Sequence, residues 1–229
     1  ATLCGVPKPQ ILSGEFARTH LPGLLAKCDG TRSHARLAEE LSLSEDAVFK
    51  AVAFLWSCGA VEDRAAALPY EDVPEELATM LSRLGDCTGV ARHWTEGLDR
   101  LRATRIAVVG DRRGAGALAD LLSASSCVVV DAPDDAGLVV FVDTPDSHPD
   151  VSERGMRAWD RGTPFLRVAL RQDLFQVGPY VDPDFTPCID CALAGLPAPG
   201  DEPADDAATV LGLGIACRTV VALLSRCMV

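Results

Sequence analysis

Between Arg105 and Asp143 the chain reads RIAVVGDRRGAGALADLLSASSCVVVDAPDDAGLVVFVD, and few architectures accommodate that order of residues. Ile106–Val109, Val128–Val130 and Leu138–Val142 are short runs rich in β-branched side chains. Such runs fit parallel strands covered on both faces. The turn Gly110-Asp-Arg-Arg-Gly114-Ala-Gly116 follows the first run and opens a helix, a place where backbone N–H groups can hold a nucleotide phosphate. Its glycines are spaced G-x-x-x-G-x-G, with Arg112 and Arg113 inside. A dinucleotide fingerprint is G-x-G-x-x-G. The stretch reads as a Rossmann-like core whose phosphate turn is degenerate.

The rest of the chain builds outward from this core. After Asp143 come the polar break TPDSHPD, a helix over Ser152–Arg161 and the strand FLRVAL, Phe165–Leu170. Arg171–Val181 continues as a hairpin or second strand into DPDFTPCIDC. A Pro/Gly/Asp-rich loop and a long apolar helix, Ala207 to about Arg226, close the domain. Alternating strands and helices make residues 105–229 an α/β layered domain with a mostly parallel sheet.

Residues 1–66 have a different grammar. Val6–Ser13 is extended, Glu15–Cys28 is a helix broken at Pro22, and Ser33–Leu41 is a second helix. Ser44 caps a third, with Glu45 and Asp46 in its first turn, which ends at Cys58-Gly59. Ala60–Asp63 reads as the start of a short strand or wing. Three helices, the last two joined by a tight turn, suggest a winged-helix-like unit. In the third helix Val48, Val52 and Leu55 face the unit's own core, while Phe49, Ala53 and Trp56 repeat at the same spacing about 100° around, with Phe54 adjoining. That second face is either buried against the other domain or forms the apolar wall of a peptide groove, where a peptide also pairs with an exposed strand edge. Lys50 alone carries charge there. Residues 67–104, acidic and broken by PYEDVP, form a helical linker.

Charge excludes one class of partner. The net charge is −12, with 7 basic and 8 acidic side chains in residues 1–64 against 14 and 25 in the remainder. Nucleic-acid binders present a basic field, and neither half has one. No run approaches a transmembrane span and the N-terminus lacks a signal pattern, so a protein of the cytoplasm without a membrane partner is expected. Nine irregularly spaced cysteines fit reduced thiols better than a disulfide framework.

Taken in order, RIAVVG, VVVD, LVVFVD, GTPFLRVAL, VGPYVDPDFTPCIDC and TVLGLGIACRTVVALLSR resemble the ThiF-like fold of ubiquitin-activating-type adenylating enzymes. They are most similar to the ThiF-like partner proteins of thiazole/oxazole-modified peptide biosynthesis, through V-G-P-x-V-x-P-x-x-T-P-C-x-x-C at Val177–Cys191. LPGLLAKCDGTRSHARLAEELSLS, followed by a helix ending in CGAVED, resembles the winged-helix leader-peptide recognition element of such proteins. The resemblance implies peptide recognition: the chain would bind the leader of a ribosomal precursor peptide and deliver it to a YcaO-type cyclodehydratase that forms azolines. The helix face read above supplies the expected contacts, Phe49, Lys50, Ala53, Phe54 and Trp56, and the degenerate glycine turn makes the chain a non-catalytic accessory protein in expectation. It also allows a homodimer.

Two competing activities are judged on residues. An ATP-dependent adenylating enzyme needs an Asp-rich loop and an N-x-x-R-Q-like segment after the second strand, yet Asp131 is followed at once by APDDAG and the next strand. No Lys lies beyond Lys50 to steady phosphates, so ATP is not an expected cofactor. A winged-helix transcription regulator needs a basic outer helix face, which Phe49, Phe54 and Trp56 do not supply. Cys188-x-x-Cys191 is half of a four-cysteine zinc site. Cys217 and Cys227 lie on different sides of the last helix, so no metal is expected. His20, His34, His93 and His148 are scattered, with no nucleophile beside one, and no catalytic residue is assigned. Asp143 stands where a magnesium aspartate would be expected, though an Asp at a strand end serves equally as a cap or loop residue.

Overall fold

The structure, a computed structural model, describes residues 2–4, 9–62, 72–88, 91, 93–197 and 200–227. The chain divides into two compact units, Ala1–Gly97 and Leu98–Val229. The division falls inside the segment read from the sequence as a linker.

The first unit opens with a two-stranded antiparallel ribbon, β1 (Thr2–Leu3) on β2 (Gln10–Ile11), in which Thr2 faces Ile11 and Leu3 faces Gln10. Residues 6–8 of the expected extended segment lie outside the described residues. Helices α1 (Glu15–Thr19) and α2 (Leu21–Lys27) follow. The break falls at His20, leaving Pro22 in the first turn of α2 where its missing N–H costs nothing. Helix α3 (His34–Leu41) starts at Ser33, whose hydroxyl accepts from Arg36 N at 3.3 Å. It ends at Ser42 in the left-handed conformation, with Leu43 N donating to Ala38 O at 2.9 Å.

Ser44 caps α4 (Glu45–Ser57) by accepting from Ala47 N at 3.2 Å. The core joins Leu21, Leu24, Leu37, Val48 and Leu55, with Leu41 and Val52 half-buried around it. No strand forms over Ala60–Glu62, which bend away after Ala60 N closes on Leu55 O at 2.8 Å. The expected start of a wing is therefore absent from those residues, and Asp63 lies outside the described ones. Helix α5 (Glu75–Thr88) completes the unit's elements before α6 (Trp94–Ala103), within which the division falls.

The second unit is a five-stranded sheet with helices on both faces. Its elements are β3 (Arg105–Gly110), α7 (Arg112–Ala124), β4 (Val128–Val130), β5 (Leu138–Asp143), α8 (Val151–Asp160), β6 (Phe165–Leu170), β7 (Phe175–Val181), α9 (Ile189–Ala194) and α10 (Asp206–Cys227). Strand order is β4-β3-β5-β6-β7; the first four are parallel and β7 runs antiparallel to β6. This is a mostly parallel α/β sheet. Every residue of β5 and β6 is buried, as expected for central strands, whereas the edge strand β4 leaves Val128 exposed. Val139 and Phe141 pack with Val151, Ala158 and Ile189 under α8 and α9, and Val142 meets α7 on the other face. The Arg171–Val181 segment resolves into a hairpin, Leu170 facing Phe175 and Phe165 facing Val181.

Among the described residues one helix, α10, is long and apolar enough to cross a membrane, with a mean hydropathy of 2.0 over Asp206–Ser225. This corrects the reading that no run approaches that length. Leu213, Ala216, Val220, Val221 and Leu224 are buried within the unit, and Gly212 lies so close to Phe175 and Leu170 that a Cβ would fall 2.7 Å from the Phe175 ring.

Cys127 gives this unit an alkaline limit. Burial, and then the nearby Cys217, push its thiol from 9.0 up to about 12. The folded chain therefore keeps a proton that the unfolded chain releases above 9.0. Its contribution is complete below pH 9.0 and fades as pH rises towards 12. Urea midpoints measured on either side of pH 9.0 should show the loss, and Cys127→Ala should flatten it. An equal alkaline slope in that variant would place the effect elsewhere.

Candidate functional site

Two places gather the residues singled out from the sequence. The first is α4 in the Ala1–Gly97 unit. Phe49, Phe54 and Trp56 are 56%, 44% and 53% exposed, unusually open for such large apolar side chains. Ala53 and Lys50 are exposed as well, and Lys50 Nζ sits 2.7 Å from Asp46 Oδ2 one turn earlier. The helix, however, divides the five residues between two faces. Lys50 and Phe54 line an open apolar groove of about 410 Å³ together with Leu12, Phe16, Ala47 and Ala51. Phe49 and Trp56 stand roughly 140–160° around the helix from Phe54 at ~100° per residue, with Ala53 on their side. Phe49 meets the His34 ring edge-on at 5.7 Å between centroids. Phe54 thus does not adjoin the Phe49–Ala53–Trp56 stripe but belongs to a different surface.

The groove has a physical origin in spacing. Ala47, Lys50, Ala51 and Phe54 recur at i, i+3, i+4 and i+7, the two alanines removing bulk that would otherwise fill the space beside α1. Ala17, Leu21 and Leu55 also line it. Leu12 and Ser13, the residues directly after β2, line it too. Strand β2 therefore ends at the groove. Leu12 and Phe16 escaped the sequence reading, because only the fold brings the end of a strand against α4.

The second place is the end of the sheet in the Leu98–Val229 unit. Gly110, at φ +107°, ends β3 so close to β5 that a Cβ would fall 2.2 Å from Val142 O. Asp111 caps α7, its carboxylate accepting from Gly114 N at 2.7 Å. One N–H at the start of the helix, that of Gly114, is thus taken by the chain's own carboxylate. Gly114 is also demanded, since a Cβ would lie 2.9 Å from Val142, whereas Gly116 has open space. An adjoining crevice of about 290 Å³ is lined by Asp111, Asp146, Asp201 and Asp206, with Arg113 tied to Asp206 at 3.2 Å. Four carboxylates make it a poor host for a polyphosphate.

Asp143 is neither a helix cap nor a loop residue. It is fully buried between two buried guanidiniums: Arg167 Nε donates to Oδ2 at 2.6 Å, and Arg171 Nη2 donates to Oδ1 at 2.8 Å. Arg167 Nη2 lies 2.5 Å from the same Oδ2, an ion-pair contact without hydrogen-bond alignment. Arg171 also donates to Asp143 O and to Gly200 O, stitching the loop before α10 to the sheet. His148 Nδ1 stands 3.1 Å from both carboxylate oxygens. Both oxygens are spent on cations already present. The sequence signal for this cluster was an Arg inside the buried run FLRVAL.

Of the other singled-out groups, Asp182 accepts from the Tyr180 hydroxyl at 2.9 Å and from Asp184 N at 3.0 Å, organising the turn after β7. Cys188 is the residue before α9 and Cys191 lies in its first turn. No group of three or more metal-ligating side chains occurs among the described residues. The Cys191 N–H, then the Cys191 thiol, hold Cys188 below the ordinary thiol value, and Cys191 is raised in turn.

The sequence matches no protein-family profile and no curated protein. The fold is shared with solved structures. A heterocyclase in complex with substrate and cofactor is 19% identical with a TM-score of 0.68, covering 95% of this chain and 30% of its own. The heterocyclase TruD gives 19%, 0.66, 95% and 33%. E. coli MccB gives 10%, 0.62, 95% and 80%. At such identities the likeness establishes the fold, and the chain spans about a third of the heterocyclases' length.

Proposed function

We propose that the Ala1–Gly97 unit binds the leader of a ribosomally made precursor peptide, and that the chain presents it to a separate YcaO-type cyclodehydratase for azoline formation. The observation that carries this reading is the apolar groove lined by α1, α4 and the residues that follow β2. A peptide laid there pairs its backbone with β2 and sinks alternate side chains between Phe16, Ala47, Ala51 and Phe54. The motif resemblance to ThiF-like partner proteins and their leader-recognition element implies the same use. Neighbours that include a heterocyclase solved with its substrate support it as well.

The competing reading, adenylation of a peptide carboxylate, is favoured by the likeness to MccB, solved also with ATP. Against it stand the Asp111 cap, the four aspartates of the crevice and the sequestered Asp143. Fluorescence polarisation separates the two. A labelled leader from a precursor encoded beside this chain should bind with a Kd of about 1 μM or tighter, about −8 kcal/mol, equally with and without ATP and Mg²⁺. No binding in either arm, or binding only with ATP, would return the adenylation reading to the front.

A further inference from the structure

The feature the proposed function leaves unused is the thiol pair on the turn between β7 and α9. We propose that Cys188 and Cys191 are a redox modification site, closing reversibly to an intramolecular disulfide by exchange with a low-molecular-weight disulfide. The pairing is geometric. Cys188 is the N-cap residue of α9 and Cys191 its third residue, the position whose N–H faces an N-cap side chain. The two thiols act on one another: Cys191 holds Cys188 below the ordinary thiol value and is itself raised by it. Cys191 is exposed and Cys188 half-buried, so an attacking reagent reaches the pair.

The scaffold holds both thiols in place. Ile189, between them, is fully buried against Gly155, where a Cβ would fall 2.6 Å from it. Upstream, the Thr186 hydroxyl donates to Asp182 O at 3.1 Å, and Asp182 N donates back to it at 2.7 Å. Dithiols of C-x-x-C spacing in an α/β fold commonly carry this chemistry. Cys127 and Cys217, by contrast, are buried.

The exchange balances without a further reagent. The Cys188 thiolate attacks one sulfur of the small disulfide, forming a mixed disulfide and releasing one small thiolate. Cys191, losing its proton, then attacks the Cys188 sulfur of that mixed disulfide and expels the second small thiol. The protein loses two hydrogens and the small disulfide gains two. Reduction by excess thiol retraces the steps. Asp190, which acts on both sulfurs, favours a cationic reagent over an anionic one.

The test treats the reduced full-length chain with cystamine, quenches with acid, alkylates the remaining thiols and maps them by mass spectrometry. Wild type should show the peptide holding both cysteines unalkylated and two hydrogens lighter, restored by dithiothreitol. Cys191→Ser should stop at a persistent cysteamine adduct on Cys188. Reaction should be slower with oxidised glutathione, which is anionic. Independently, phenylarsine oxide, which bridges close thiol pairs, should block alkylation of both cysteines in wild type but not in Cys191→Ser. Full alkylation of both cysteines after cystamine, or a lasting adduct on wild type like that of Cys191→Ser, would overturn the proposal.

Discussion

Replacing Asp143 with Ala should destabilise the α/β unit by about 3–5 kcal/mol, the largest stability loss expected of any single substitution considered for this chain. The carboxylate is fully buried and is the shared counter-ion of Arg167 and Arg171, themselves 2% exposed. Its removal strands two guanidiniums where neither water nor another anion reaches them. Chemical denaturation followed by far-ultraviolet circular dichroism should register the loss as a lower midpoint. Asp143→Asn, which keeps shape but not charge, should fall most of the way. A double-mutant cycle sharpens the point: Arg167→Leu added to Asp143→Ala should cost less than the sum of the two, because each removes part of the other's penalty. Additive losses would show that the ion pairs are bystanders to packing.

The second large effect concerns binding. Phe54→Asp should weaken the leader peptide's affinity by about 100-fold, equivalent to about 2.7 kcal/mol, while leaving the unit folded. Phe54 is 44% exposed, so a polar replacement costs little in the free protein; the penalty arises when a peptide side chain must bury that carboxylate inside the groove. Phe49→Ala and Trp56→Ala, on the other side of the helix, should change affinity by less than about threefold, under 1 kcal/mol. The contrast is what decides. If the Phe49 and Trp56 variants lose the peptide and Phe54→Asp keeps it, the binding surface is the outer stripe and not the groove.

How much of this was legible beforehand depends on the range of the interactions. The strands and helices of the α/β unit follow from runs such as LVVFVD and FLRVAL, because continuous apolarity and period are local properties. The α4 cap at Ser44 and its core residues Val48 and Leu55 were readable for the same reason. The edge position of β4, by contrast, depends on strand order, which no local pattern carries. The role of Asp143 was hidden because its partners lie 24 and 28 residues away. The groove was half visible. Five exposed positions on one helix could be named, but placing Phe54 with Lys50 instead of with Trp56 required knowing where Leu12 and Phe16 arrive.

The Asp111 cap on α7 has a consequence for anything negatively charged that approaches this end of the sheet. A tethered carboxylate competes with a free anion as though it were present at very high local concentration, since it pays no translational entropy to return. A phosphate arriving at the Gly114 N–H would have to displace a rival that never diffuses away. The residue that completes α7 is thereby also an occupant that dilution cannot remove.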